Sequence, residues 1–317
     1  MERSFHDLHT QTANWTEQIT TSTSQSHHPL TTAKFGCQLP QYTDVNRIFE
    51  IVKDCERLGY DSVWVYDHLA PYWRCSRSSL ESWTLLSAIA ARTSKIKIGT
   101  LVSNVNLRNP ALLAKITSTV DNISGGRLIV GLGVGDRMSV RELRSYGYRF
   151  PPLQERIDML RETIMILKAM WTGREISFEG KTARISNAVC LPKPTQEPGP
   201  PIWVGGRHRS VIDLAVELAD GWNYWGLTGQ RFAERERHLM ETCVKLDRDP
   251  HSITKSWAGT LSTQRSSSLT LAENMKAEII SQTDRSTDYF IASFSAIADR
   301  TAYETFAEAM KSIAQES

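Results

Sequence analysis

GTLVSNVNLRNPALLAKITSTVDNISGGRLIVGLGVG, residues 99–135, decides the fold. Its first residues complete a β-branched run, Ile96–Val102, and its last contain a second, Arg127–Gly133. Such runs, bounded by glycine and polar clusters, read as strands. Between them Asn109-Pro110 reads as a helix cap followed by the first helical turn. Strand, helix, strand in close succession is the repeating unit of a parallel sheet.

The same alternation extends in both directions. Further strand candidates are Lys34–Leu39, Ser62–Asp67, Pro201–Val204, Gly221–Trp225, Trp257–Leu261 and Asp288–Phe294. Periodic segments separate them. Val45, Ile48, Phe49, Val52, Cys55 and Leu58 share one helical face, with Thr43 or Asp44 at the cap. Ile157, Leu160, Ile164, Leu167 and Trp171 form a second stripe. Eight strand-then-helix units match a (β/α)8 TIM barrel, whose usual size is about 250 residues. A doubly wound open sheet is the alternative, and the strand count favours the barrel. Two stretches exceed ordinary loop length, Gly135–Pro152 and Arg174–Pro200, the second with a hairpin over Ile176–Ile185 around Glu179-Gly180. They are read as insertions that shape the mouth at the C-terminal face. Ser262–Thr270 reads as a mobile loop. Residues 34–317 are expected to form one domain. Residues 1–33 are too polar to bury much surface and are expected to be an extension, or an arm on a neighbouring subunit.

Composition narrows the function classes. A net charge of +2 over 317 residues gives no reason to expect nucleic acid or a membrane surface as partner. No apolar run reaches the roughly 18–20 residues of a membrane span, and the N-terminus has no apolar core of a secretory signal. The five cysteines are odd in number and widely spaced, so reduced thiols in a cytoplasmic protein are expected. There is no GxSxG, HExxH, P-loop or paired-cysteine site, which leaves hydrolase and metalloenzyme readings without residues and no metal is expected.

In a barrel, the C-terminal strand ends meet the ligand. The second strand ends at Asp67-His68, a carboxylate beside an imidazole that titrates near neutrality. His68 is the candidate proton donor or acceptor, with Asp67 orienting it. Tyr72 and Trp73 follow and are candidate walls for a flat substrate. The third strand leads into Ser103, Asn104, Asn106 and Arg108, which suit a heterocycle's carbonyls and ring nitrogens. The fourth ends in Gly131-Leu132-Gly133-Val134-Gly135-Asp136, where the glycines permit close backbone approach and Asp136 is a second candidate acid. After the fifth, Gly205-Gly206-Arg207-His208-Arg209 enters a helix. Exposed N–H groups, the helix dipole and two guanidinium groups make it the best phosphate site in the chain.

Taken in order, these segments resemble the luciferase-like monooxygenase superfamily, and residues 99–135 resemble its coenzyme F420-dependent branch. GYDSVWVYDHLAP (59–71), YGYRFPPLQERIDMLRETIMILKAMWTG (146–173) and PPIWVGG with ADGWN (200–223) support the likeness. The resemblance implies a barrel with a flavin-like ring at its C-terminal face and a non-proline cis peptide at Leu101-Val102 or a neighbour. It implies that Leu101, Val102, Ser103, Asn104, Arg108 and Gly135 line the cofactor and that Gly205, Gly206 and Arg207 hold its phosphate. His68 matches a residue near the ring's hydride-bearing carbon. Asp136 stands where the family's sugar-phosphate dehydrogenases have Glu, and Tyr72 where they have Trp. Those departures argue against assuming the same sugar substrate. The expected function is hydride transfer between coenzyme F420 and a small organic substrate. An FMN-dependent monooxygenase using oxygen and a non-catalytic flavin-binding barrel are the alternatives. By the family's habit the chain forms homodimers or larger homo-oligomers.

Overall fold

Lys97 to Thr100 pair with Ser62 to Val65 on one side, and Ile98 and Gly99 pair with Leu128 and Ile129 on the other. That second pairing closes the sheet. In the computed structural model, which describes residues 33–70, 78–226, 229–263, 269–282, 287–294 and 300–315, the strands are these. They are β1 (Lys34–Gln38), β2 (Ser62–Val65), β3 (Lys97–Thr100), β4 (Ser103–Asn104), β5 (Leu128–Gly133), β6 (Ile176–Glu179), β7 (Arg184–Ala188), β8 (Ile202–Gly205), β9 (Gly221–Trp225), β10 (Thr254–Leu261) and β11 (Tyr289–Phe294). The ring runs β1-β2-β3-β5-β8-β9-β10-β11 and back to β1, all parallel, and β4 adds a short pairing to β5. This is the (β/α)8 barrel expected, and each of the eight strand candidates supplies one stave. The third stave stops at Thr100 and resumes as β4, on either side of a cis Leu101-Val102 bond.

Around the barrel lie α1 (Val45–Leu58), α2 (Ser82–Ala90), α3 (Pro110–Ser124), α4 (Ser139–Ser145), α5 (Leu153–Thr172), α6 (Arg209–Leu218), α7 (Gly229–Lys245), α8 (Leu271–Gln282) and α9 (Arg300–Gln315). Asp44 caps α1 by accepting from the Asn46 and Arg47 amides. Asn109 caps α3 by accepting from Ala111 and Leu112, with Pro110 in the first turn. The α5 stripe, Ile157 to Trp171, is buried against the barrel as its spacing predicts. No helix among the described residues is long and apolar enough to cross a membrane. Cys37, Cys55, Cys190 and Cys243 are buried free thiols; burial pushes Cys243 up to about 11, which makes it a poor nucleophile. Residues 1–32, Cys75 and most of the Ser262–Thr270 loop lie outside the described residues.

Alternation sends every second strand residue inward. Trp64, Ile129, Trp203, Ala258, Tyr289 and Ile291 fill the barrel interior, joined by Leu101. The Trp64 and Trp203 rings stack at 5.0 Å between centroids. They fit because the residue paired with each on the adjacent stave is glycine, Gly99 beside Trp64 and Gly221 beside Trp203. A Cβ on Gly99 would lie 2.4 Å from Trp64, and one on Gly221 would lie 2.5 Å from Trp203. Each buried indole removes roughly 150–250 Å² from water, worth on the order of 4–6 kcal/mol at ~25 cal/mol/Å². The interior is therefore a packed plug, and a ligand can sit only above it.

The two insertions fold differently. Residues 135–152 follow β5 at the C-terminal face and contain α4, which the sequence reading treats as loop. Asp136 Oδ1 starts that helix by accepting from the Met138 amide at 2.9 Å, the Ser139 amide at 3.0 Å and the Ser139 hydroxyl at 3.1 Å. The second insertion carries the antiparallel β6–β7 hairpin. Its turn is held by Glu162 of α5, whose carboxylate accepts from the Lys181, Thr182 and Ala183 amides. Burial opposes ionisation of Glu162, but these hydrogen bonds and that of the Thr182 hydroxyl outweigh it and hold the carboxyl below its ordinary value. The hairpin turn and the start of α5 border a cleft of about 680 Å³ that Asn106 and Arg149 also line.

Candidate active site at the C-terminal mouth

Strand β2 ends at Val65, and the alternation of its side chains carries on into the residues that follow. Tyr66 and His68 follow Trp64 toward the barrel axis, and their rings lie 5.8 Å apart. Asp67 points into the wall, where it is 4% exposed. The Tyr66 amide donates to Gln41 Oε1 at 2.6 Å, and Gln41 Nε2 donates to the Leu80 carbonyl. This buried glutamine, not singled out in the sequence, ties the β2 exit to the segment before α2.

Asp67 is the hub of the wall. Its Oδ2 accepts from Ser103 Oγ at 2.8 Å, from the Asn104 amide at 3.0 Å and from Arg108 Nη1 at 2.5 Å. Its Oδ1 accepts from Ser82 Oγ at 2.5 Å and Arg108 Nη2 at 3.0 Å. Arg108 also reaches Glu81. Burial works against the Arg108 charge, yet Asp67 and Glu81 outweigh it and raise its pKa. The expectation that Asp67 orients His68 is therefore corrected. Chain neighbours past a strand end face apart, and the carboxylate that meets the imidazole is Glu142 of α4, with Oε2 2.8 Å from His68 Nδ1. Glu142 also accepts from the Leu69 amide and, at 3.4 Å, from the Ala70 amide.

The other predicted site residues divide by what they touch. Leu101 belongs to the interior plug. Val102 is half-buried above it, and its methyl groups occupy the space in front of Gly133 and Gly205. A Cβ there would come within 2.5 Å and 2.8 Å of them. The glycines of the fourth stave thus make room for the third stave rather than for a ligand alone. Ser103, Asn104 and Arg108 have polar atoms engaged inside the wall. Ser103 accepts from Trp83 Nε1, and Asn104 Oδ1 accepts from the Asn106 amide and side chain. Gly135, at φ 69°, packs against the Asn104 amide group. Asp136 is exposed and one of its oxygens is spent on the α4 cap. Arg156 of α5, missed in the sequence, donates to the Val134, Gly135 and Pro151 carbonyls and fixes the stave's end. Tyr72 and Trp73 lie outside the described residues.

The turn Gly205-Gly206-Arg207 enters α6 on the far wall. Gly206 donates to the Asn223 carbonyl and accepts from Trp222 Nε1, so its peptide is fixed from both sides. Arg207 and Arg209 are exposed, with no ion pair among the described residues. The Ser210 amide donates to the capping His208 Nδ1 at 3.3 Å and the Gly206 amide to Asn223, so what this turn offers an anion is chiefly its two exposed guanidinium groups. Around the ring, β9 is four staves from β2 through β3, β5 and β8, and four through β1, β11 and β10. Trp225, at the end of β9 and 40% exposed, therefore stands across the mouth from His68. The mouth thus has an imidazole on one rim, an indole on the other, Val102 between them and a turn with two exposed arginines beside them.

The family model for luciferase-like monooxygenases matches residues 24–317. Among curated relatives, the F420-dependent glucose-6-phosphate dehydrogenase of Amycolatopsis mediterranei is 32% identical over 178 residues, which is 55% of this chain and 52% of that one. The protein of the same name from Kineococcus radiotolerans is 30% identical over 177 residues, 56% of this chain and 51% of that one. The chain spans about half the length of the curated relatives it matches. Among solved structures, an F420-dependent secondary alcohol dehydrogenase in complex with an F420-acetone adduct superposes with a TM-score of 0.79 at 18% identity, covering 89% of this chain and 99% of that one.

Proposed function

The chain belongs to the luciferase-like monooxygenase family, and from that premise we propose that it is an oxidoreductase exchanging a hydride between coenzyme F420 and a small organic substrate. The observation that carries this reading is the mouth itself. A carboxylate-backed imidazole faces an open floor, and a cation-flanked helix start lies beside it. The curated relatives' names supply the cofactor, and the residues fit it. Arg207 and Arg209 would hold its phosphate, with the side-chain-free Gly205-Gly206 backbone letting it approach. Val102, seated on Gly133 and Gly205, offers an apolar support for a flat ring. When bound, the deazaflavin supplies the hydride chemistry.

The protein's own part is orientation and a proton. His68 holds or accepts the proton at the substrate, in reach of the mouth with its side chain 22% exposed. Asp67, Ser103, Asn104 and Arg108 keep the wall that carries it rigid. Trp225 forms the opposite wall, where a flat or apolar part of the substrate packs. Glucose 6-phosphate is not assumed as substrate, because the likeness to those relatives spans only about half of each chain.

Arg207→Ala is expected to weaken F420 binding about tenfold or more, the worth of one charge-assisted hydrogen bond. Fluorescence titration checks it, and unchanged affinity would leave Arg207 as a solvated surface residue. Activity is tested without oxygen, by following F420 absorbance with reduced cofactor against a panel of ketones, aldehydes and imines. Turnover under those conditions is expected. Turnover only with FMN and oxygen would replace this reading with the monooxygenase one.

A further inference from the structure

We infer that Glu142 is a positioning residue that fixes His68 as its Nδ1–H tautomer and so makes Nε2 the nitrogen that exchanges a proton with substrate. The proton-exchange half of this rests on the proposed function; the tautomer half does not. The geometry is specific. Glu142 is 4% exposed and sits on α4, whose start is capped by Asp136. One of its oxygens, Oε1, is occupied by the Leu69 amide, with the Ala70 amide also directed at it. The other lies 2.8 Å from His68 Nδ1. An ionised carboxylate only accepts hydrogen bonds. The ring nitrogen facing it must therefore carry the proton, and the second nitrogen, Nε2, is the one turned away from Glu142. When His68 takes up a proton the imidazolium keeps a carboxylate beside it, which is how an acid partner both orients and stabilises a catalytic histidine.

The arrangement also couples two parts of the fold. Glu142 comes from the insertion after β5, whereas His68, Leu69 and Ala70 come from the segment after β2. One carboxylate thus holds the ring and the backbone that follows it. Tyr66, whose ring is 5.8 Å away, bounds the imidazole on a third side.

Glu142→Gln separates positioning from scaffolding. The amide oxygen must keep facing Leu69, because a backbone N–H cannot accept a hydrogen bond. The NH₂ group then points at Nδ1 and donates to it, which forces the proton onto Nε2. The backbone contacts survive and the tautomer reverses. The test is nitrogen NMR of protein labelled in its histidine rings, with His68 assigned by the signal lost in His68→Gln. It is read at pH about 9, above the ordinary histidine range. The wild type is expected to show Nδ1–H, Glu142→Gln to show Nε2–H, and Glu142→Asp to restore Nδ1–H. Under the proposed function, Glu142→Gln also loses turnover on the order of 10²-fold or more, with F420 affinity retained. An Nε2–H tautomer in the wild type overturns the inference, even if Glu142→Gln does not fold. So does a Glu142→Gln protein that reverses the tautomer yet turns over normally. If no F420 activity exists at all, the tautomer result still stands or falls by itself, and only the proposed function is lost.

Discussion

His68→Ala is expected to lower turnover by roughly 10²–10⁴-fold, the usual contribution of a positioned acid or base, while leaving F420 affinity within about twofold of wild type, since no anion-binding contact is removed. His68 lies on the rim opposite Trp225, not in the Gly205–Arg207 turn, so the two functions are spatially separate. The fold is expected to tolerate the change, because the ring is part-exposed and its removal leaves Glu142 still bonded to Leu69 and Ala70. Steady-state rates with reduced cofactor, beside a fluorescence titration of the same sample, check both halves. Equal loss in cofactor affinity and turnover would move His68 from proton transfer to cofactor binding.

Asp67→Asn is the largest expected effect on stability. All five groups that meet the Asp67 carboxylate are donors: Ser82, Ser103, the Asn104 amide and two Arg108 nitrogens. Asparagine places a donor among them and removes the charge facing Arg108. Its side chain is 11% exposed, and its remaining acidic partner is the more exposed Glu81. Breaking a buried ion pair in this way costs about 3–5 kcal/mol, which lowers Tm by about 5–8 °C in a chain of this size. Differential scanning calorimetry reads it directly. A shift of only a degree or two would show that the wall reorganises around a neutral side chain. Activity is expected to fall with stability, because Asp67 anchors the segment from Ser103 to Arg108 and the β2 exit together.

The staves were legible because parallel barrel strands are buried on both faces and so read as unbroken apolar or β-branched runs. Caps were legible for a similar local reason: Asn109-Pro110 and Asp44 act on amides two or three residues away. His68 could be found because a strand end at the catalytic face is a position that the fold class itself marks. Glu142 could not. Its contact with His68 spans 74 residues, and nothing in SVRELRS announces that one of its charges is buried. The same blindness affected Arg108 and Arg156. Sequence shows them as available donors, whereas the structure uses both as internal struts for carboxylate or carbonyl groups. Asp67 was misassigned to His68 by chain adjacency, although a strand's alternation turns neighbours apart. Trp225 was passed over because it is one of three aromatic residues in β9, beside Trp222 and Tyr224. Only the closed ring order shows that this indole is the one facing the mouth across from the imidazole.

The most direct measurement is an equilibrium titration of the cofactor-free protein, following quenching of F420 fluorescence with FMN as competitor. The proposed hydride-transfer role predicts tight F420 binding that FMN displaces poorly and that Arg207→Ala weakens. Preferential binding of FMN, or binding of neither, would contradict it.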